Sequence, residues 1–328
     1  MRVKRVLITR LEVYLVILAA LLPLVVSSEP FHHVMTIAGL YALGTLGLAV
    51  FTGFAGQISI GHSAFLGLGA YSMAILSGTC QLPTLAGLAA SGLVPGLAAW
   101  GIGRQLLKLR EYFLALATIG LVQIFQVLAT ELEGLTGGVE GLFNLPWLSV
   151  FGFQLDRPLE QVYLVWGVVY LAFLFGRNLC SSGYGRAFQV VASSEDTART
   201  LGLSPEALKT RAFVFSAVYA GLAGGLYACI FASVSPEAFG LDMSVMLVLM
   251  LIVGGVGSLP GALAGSVLIT WLDIWLSGYQ QYSLAVFGLI LLLLLIFFPE
   301  GIFRGIGARW IDIVRSYARE DWRKELRR

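Results

Sequence analysis

Residues 212–232 read AFVFSAVYAGLAGGLYACIFA. The run carries no charged side chain and is long enough, at helical rise, to cross about 30 Å of hydrocarbon. It predicts a transmembrane helix. YFLALATIGLVQIFQVLAT at 112–130 and SLAVFGLILLLLLIFF at 283–298 have the same character. Working outward from these, candidate spans begin near residues 11, 34, 63, 84, 112, 160, 212, 243, 259 and 282. The weakest, MSVMLVLMLIVGG from Met243, is short and runs on into GGVGSLPGALAG. Composition agrees: the 328 residues are 58% hydrophobic and 12% charged, against about 25% charged in an average soluble domain. The expected fold is all-α, a polytopic transmembrane bundle of about ten spans over residues 1–303, followed by a short tail, 304–328. The apolar run at 13–26 has the length of a signal-peptide core, but no A-x-A site follows it, so it is expected to remain as the first helix.

The charges set the topology. With ten crossings and a cytoplasmic N-terminus, 20 of the 21 lysines and arginines fall on the cytoplasmic side. Only Arg157 lies outside, in a loop that also carries Glu131, Glu133, Glu140, Asp156 and Glu160. This is the asymmetry the positive-inside rule requires, and it places both termini in the cytoplasm.

Two segments break the helical period inside apolar sequence: residues 53–71, GFAGQISIGHSAFLGLGAY, and residues 254–265. Irregular backbone at membrane depth survives only where protein or a water-lined cavity satisfies it, and in transporters such breaks mark the translocation path. Gly53, Gly56, Gln57, Ser59, Gly61 and His62, with Gly254, Gly255 and Gly257, are therefore candidate path residues. Gly67, Gly69, Gly221, Gly224 and Gly225 are instead expected to serve close helix packing. Gln123 and Gln126 share a helical face; interhelical hydrogen bonding and path lining are both open to them.

Residues 177–211 form the longest cytoplasmic loop, expected as two short helices. Ser193 or Ser194 caps one, Glu195 and Asp196 occupy its first turn, and Gly202 stops it; Ser204-Pro205-Glu206 starts the next. An amphipathic helix between spans suits a soluble partner, the alternative being a solvated connector. The tail repeats Ile306, Trp310, Ile313, Val314 and Tyr317 at helical spacing among charges, as for a helix on anionic lipid or in a partner's groove.

Cys80, Cys180 and Cys229 are scattered, and His32, His33 and His62 are too few for a metal site. A net charge of +2 gives no field for nucleic acid. There is no phosphate loop of the form G-x-x-x-x-G-K-[ST], no G-x-S-x-G elbow and no H-E-x-x-H. The chain is thus expected to be no enzyme and to bind no cofactor of its own, any ATP being bound by a partner. Only Asp273 falls clearly within a late span, so an ion-coupled carrier lacks its usual buried charges.

GFAGQISIGHSAFLGLGAYSMAIL at 53–76, EYFLALATIG at 111–120 followed by LTGGVEGL at 135–142, the GRAF-to-LGL loop at 185–203, and MLIVGGVGSLPGALAG at 250–265 together resemble the LivM-type permease of branched-chain amino acid ABC importers. The resemblance spans residues 39–301, with Ser193 and Ser194 standing where relatives commonly have an arginine and a polar residue. It implies a bacterial inner-membrane permease that pairs with a second, homologous permease, two cytoplasmic ATP-binding subunits and an extracytoplasmic substrate-binding protein. It also implies that residues 185–202, with Gly185, Arg186, Glu195, Asp196, Arg199, Leu201 and Gly202, couple to the ATPase. Relatives carry urea, amides and aromatic acids as well, so a permease for such a solute is the alternative, with a passive channel or secondary carrier behind it.

A single cysteine introduced near Ser204 is expected to react only with reagents admitted to the cytoplasm, and one near Gly138 with impermeant reagents outside. Labelling at Ser204 from outside would overturn the topology.

Overall fold

The computed structural model describes residues 28–277, apart from 110, 151, 152 and 155, together with isolated positions at 288, 289, 292 and 296. Eleven α-helices run through the described residues: α1 (Glu29–Leu48), α2 (His62–Met73), α3 (Thr84–Leu106), α4 (Glu111–Glu131), α5 (Glu133–Thr136), α6 (Pro158–Ser181), α7 (Gly183–Ser193), α8 (Glu195–Thr200), α9 (Pro205–Phe231), α10 (Leu241–Gly254) and α11 (Leu259–Ser277). Single π-helical segments extend α1 over Ala49–Phe54 and α2 over Ala74–Thr79.

Seven described helical stretches are long and apolar enough to cross a membrane, fewer than the ten expected. The expected runs near 11 and 282 and the tail at 304–328 lie outside the described residues. The run near 63 gives a 12-residue helix that starts at His62 and a π-segment in place of one regular span; Ser63, Ser72, Ser77 and the glycines among them leave it less apolar than the other spans. The short run at Met243 reaches spanning length by adding a 3₁₀ turn, Glu237–Phe239, ahead of α10.

The bundle is organised around α9, which packs against α1, α2 and α3. Lipid is as apolar as leucine, so helices in a membrane are held by close packing and hydrogen bonds rather than by escape from water. Small residues on α9 permit that packing. A Cβ on Gly224 would overlap the Leu66 carbonyl of α2, and one on Gly221 would overlap the Ser91 carbonyl of α3. Helices α6 and α11 flank α1, and α10 pairs with α11. Tyr219 on α9 donates to the Ala172 carbonyl of α6 at 2.7 Å, and Trp166 on α6 donates to the Met35 carbonyl at 3.0 Å.

The outlying helices bury one stripe each. On α4 it is Leu114, Thr118, Val122, Phe125 and Ala129; on α6 it is Val162, Val165, Val169, Ala172 and Gly176. Their other faces, with Leu116, Ile124 and Leu128 on α4 and Leu171 and Phe175 on α6, are exposed and apolar, as suits lipid or another membrane chain. At one end of the bundle α7 and α8 form a helical loop. At the other, β1 (Leu142–Phe143) pairs with β4 (Ser233–Val234), and β2 (Ser149–Val150) with β3 (Phe153–Gln154). The glycines of the TGGVEG motif make this end: Gly137, Gly138 and Gly141 all have φ between +66° and +84°, a region that glycine enters without steric cost.

Replacing Gly224 by valine forces two backbones apart at the centre of the bundle. The variant is expected to reach the membrane but to lose its monodisperse peak on size-exclusion chromatography in detergent, while Gly167→Val, at a position with open space around it, keeps it.

Candidate functional site

The two glycine-rich breaks meet. A Cβ on Gly53 would lie 2.5 Å from the Gly257 amide nitrogen, so these segments touch through backbone although some 200 residues separate them. The turn at Gly255 and Gly257, with φ +111° and +85°, joins α10 to α11, and the helices cross where Gly254 faces the Gly261 carbonyl. Ser258 starts α11 by accepting the Gly261 N–H at 3.1 Å.

The first break is satisfied piece by piece. Ala55 N–H reaches Val50 O at 3.1 Å and Gln57 N–H reaches Phe51 O at 3.3 Å, closing the π-segment. Gly56, at φ +68°, then turns the chain against α7, where a Cβ would stand 2.8 Å from the Ala192 Cβ. Ile60 N–H donates to Thr118 Oγ1 of α4 at 3.1 Å, and Gly61 N–H to Ser59 Oγ at 3.4 Å.

Its polar side chains are buried and mostly partnered. Ser59 Oγ bonds His62 Nδ1 at 3.2 Å, and His62 Nε2 bonds Ser216 Oγ of α9. Ser63 Oγ lies 2.6 Å from Ser244 Oγ of α10, which also accepts the Ser63 N–H at 3.0 Å. Phe51 and Phe65 flank the imidazole, and both pack on Phe213. These groups form a polar clasp that fixes the start of α2 to α9 and α10. Gln57 donates to Ala55 O at 3.4 Å, whereas its side-chain oxygen, buried, has no partner.

A cleft of about 550 Å³ opens beside the meeting point of the two breaks, lined by Gly53, Phe54, Arg177, Gln189, Gly257 and Pro260 among others. Gln123 and Gln126 are elsewhere. Gln123 is exposed on α4, and Gln126 is half-buried with its amide against Gly240; neither joins the clasp.

In the loop, Ser194 and not Ser193 caps α8, accepting the Thr197 N–H at 3.2 Å. Ser193 instead bonds back to Val190 O. Gly202, at φ +76°, ends α8, and the Leu203 N–H closes on Ala198 O at 3.0 Å. Gly185 lies against the Cys180 carbonyl where α7 folds back on α6. Glu195 pairs with Lys209 of α9 and Arg199 with Glu206 at 2.8 Å; that bond holds the Arg199 guanidinium above its ordinary pKa. Asp196, Leu201 and Arg186 stay exposed.

Sequence reasoning passed over Thr118, Ser216, Ser244 and Lys209. The first three are hydroxyls inside apolar helices, a weak signal alone; Lys209 sits four residues after a helix-starting proline and looks like an ordinary flanking charge.

Residues 31–299 match the model of the family described as branched-chain amino acid transport system / permease component. The chain belongs to this family. It is 30% identical over 313 residues to the high-affinity branched-chain amino acid transport system permease protein LivM of Escherichia coli K12, covering 88% of this chain and 73% of that protein. It is 25% identical over 286 residues to the LivH permease of the corresponding system in Salmonella typhimurium, covering 82% and 92%. Similarity also extends to the autoinducer 2 import system permease LsrC of Photorhabdus laumondii, 26% identical over 68% of this chain and 65% of that protein. No solved structure matches the chain significantly. The protein is thus a multi-pass membrane permease.

Each interhelical bond of the clasp is worth about 0.6–1.7 kcal/mol in a membrane. Ser216→Ala and Ser244→Ala are each expected to lower the melting temperature of the purified permease by a few degrees. Ser72→Ala, which removes a bond within its own helix, is expected to change it by less.

Proposed function

We propose that this permease is one of the two membrane subunits of an ATP-binding cassette importer for branched-chain amino acids in a bacterial inner membrane. Membership of the branched-chain permease family carries this reading, and the names of its LivM and LivH relatives point to the same solutes. In this arrangement a second, homologous permease lies beside it, two ATP-binding subunits lie below, and an extracytoplasmic binding protein delivers solute from above. Both termini and the loop at 177–211 face the cytoplasm, following the distribution of lysine and arginine, and lipid surrounds the exposed apolar faces of the outer helices.

ATP is bound by the partner subunits. This chain supplies the solute path and the surface on which the ATPase acts. The path involves the two breaks, with Gly53, Gly56, Gln57, Ser59, Gly61 and His62 on one and Gly254, Gly255 and Gly257 on the other, and the α4 glutamines Gln123 and Gln126 at its edge toward the second permease. Backbone without a continuous helical ladder changes shape by exchanging a few hydrogen bonds instead of breaking a helix, which suits a segment that opens and closes. The cleft beside Gly53 and Gly257 lies between those breaks and the end of α6, at Arg177 and Cys180, with Gln189 of α7 at its side. Within 185–202, Gly185, Ser194 and Gly202 set the turns, while Arg186, Asp196 and Leu201 present side chains to the ATPase. Glu195 and Arg199 engage α9 instead.

In proteoliposomes holding all the subunits, uptake of labelled leucine is expected to require internal ATP and external binding protein, and the permease alone is expected to hydrolyse none. ATP-independent flux through the permease alone would favour a channel. Leu201→Asp is expected to leave the permease in the membrane and cut co-purification of the ATPase at least tenfold.

A further inference from the structure

Lys209 has its side chain only 4% exposed. It sits near the start of α9, and its partner is Glu195 in the first turn of α8. A buried ammonium is costly to leave without its counter-charge, so α8 cannot swing away from α9 while Lys209 stays inside. The second carboxylate oxygen of Glu195 lies 3.5 Å from Arg199, whose guanidinium also reaches Glu206 on α9 at 2.8 Å. Ala198, between these charges, is fully buried. The pairs and the buried alanine make α8 and the base of α9 one mechanical unit.

Together with α7, joined to α8 through Ser194, that unit meets the first glycine-rich break at both ends. Ala192, in the last turn of α7, presses on Gly56. Ser216, two helical turns beyond Lys209 on α9, bonds His62. Residues 56 and 62 bracket the segment that carries Gln57, Ser59 and Gly61, so a displacement of α8 held to α9 arrives at the two ends of the break together. Were α8 loose, a push on it would be absorbed by the turn at Gly202 and would not reach His62.

We propose that Lys209 is a positioning residue for coupling: by holding Glu195 it locks α8 to α9, so that movement imposed on the loop is delivered to Gly56 and His62 at the two ends of the break. This rests on the proposed role of the loop as the ATPase contact.

The test uses the complete transporter in proteoliposomes and reads ATP hydrolysed per solute imported, alongside the melting temperature. Lys209→Met is expected to raise that ratio at least tenfold while basal hydrolysis persists. The apolar pair Glu195→Leu with Lys209→Met removes the unpaired charge, so it is expected to recover the melting temperature but to stay at least fivefold less coupled. The exchanged pair Glu195→Lys with Lys209→Glu is expected to recover most of the coupling. An apolar pair as well coupled as the wild type would overturn the proposal, since the ion pair would then serve stability alone, and so would an exchanged pair that melts normally yet stays uncoupled. These pairs decide the matter even if Lys209→Met does not fold. Failure of the docking reading looks different: Leu201→Asp and Asp196→Arg would then retain the ATPase and normal coupling, and the proposal would fall with it.

Discussion

Backbone contact between α9 and its neighbours at Gly221 and Gly224 is the constraint on which the remaining structure depends. In hydrocarbon there is little gain from hiding one apolar helix against another, so the bundle is held by the closeness of that contact and by the hydrogen bonds it allows. Where α9 meets Leu66 of α2 and Ser91 of α3 without intervening side chains, its lower half is brought near enough to α2 for Ser216 to reach His62. Push the helices apart by one methyl group and the clasp loses its reach. Packing in the upper half of α9 thus fixes the geometry of polar groups two turns below it.

The irregular segment is tolerated because its neighbours satisfy it. Thr118 accepts one amide, Ser59 a second and Ser244 a third, and the π-segment at the end of α1 takes up the amides of Ala55 and Gln57. Thr118 sits on α4 and Ser244 on α10, and Ser216 of α9 holds the His62 ring, so relative motion of α4, α9 and α10 alters the segment even where no residue within it changes. Short π-helical segments, such as those that follow α1 and α2, are often found at functional sites. Here they bound the helices on either side of the break.

Local features were legible in the sequence and long-range pairings were not. Apolar runs, a serine cap at 193 or 194, the Gly202 stop and the helix-packing glycines follow from patterns a few residues wide, and only the structure chooses Ser194 over Ser193. The meeting of Gly53 with Gly257 leaves no such trace, because nothing in either segment specifies its partner across about 200 residues. The pairing of Gln123 and Gln126 by helical spacing was sound in register, yet three residues advance a helix by about 300°, enough to leave Gln123 exposed while Gln126 turns toward Gly240. Glu195 and Asp196 looked equivalent in the first turn of α8, and only packing separates them: one faces Lys209 and the other faces away.

That separation decides which charges of the loop are available to another protein. A carboxylate that neutralises a buried lysine cannot also serve a partner without exposing that lysine's unmet charge, so Glu195 is committed to the fold. Arg199 is committed likewise through Glu206, though less firmly, being half exposed and open to water and salt. Asp196, with 95% of its side chain exposed, meets Arg199 only at 3.5 Å and is freer to turn outward. Leu201, 64% exposed at the end of the same short helix, offers apolar area next to that charge. An exposed leucine beside an acidic residue, on a helix tied at its other face to the central helix of the bundle, suits the proposed ATPase contact: the outer face is open to a partner, and the inner face is held by Lys209 and Glu206.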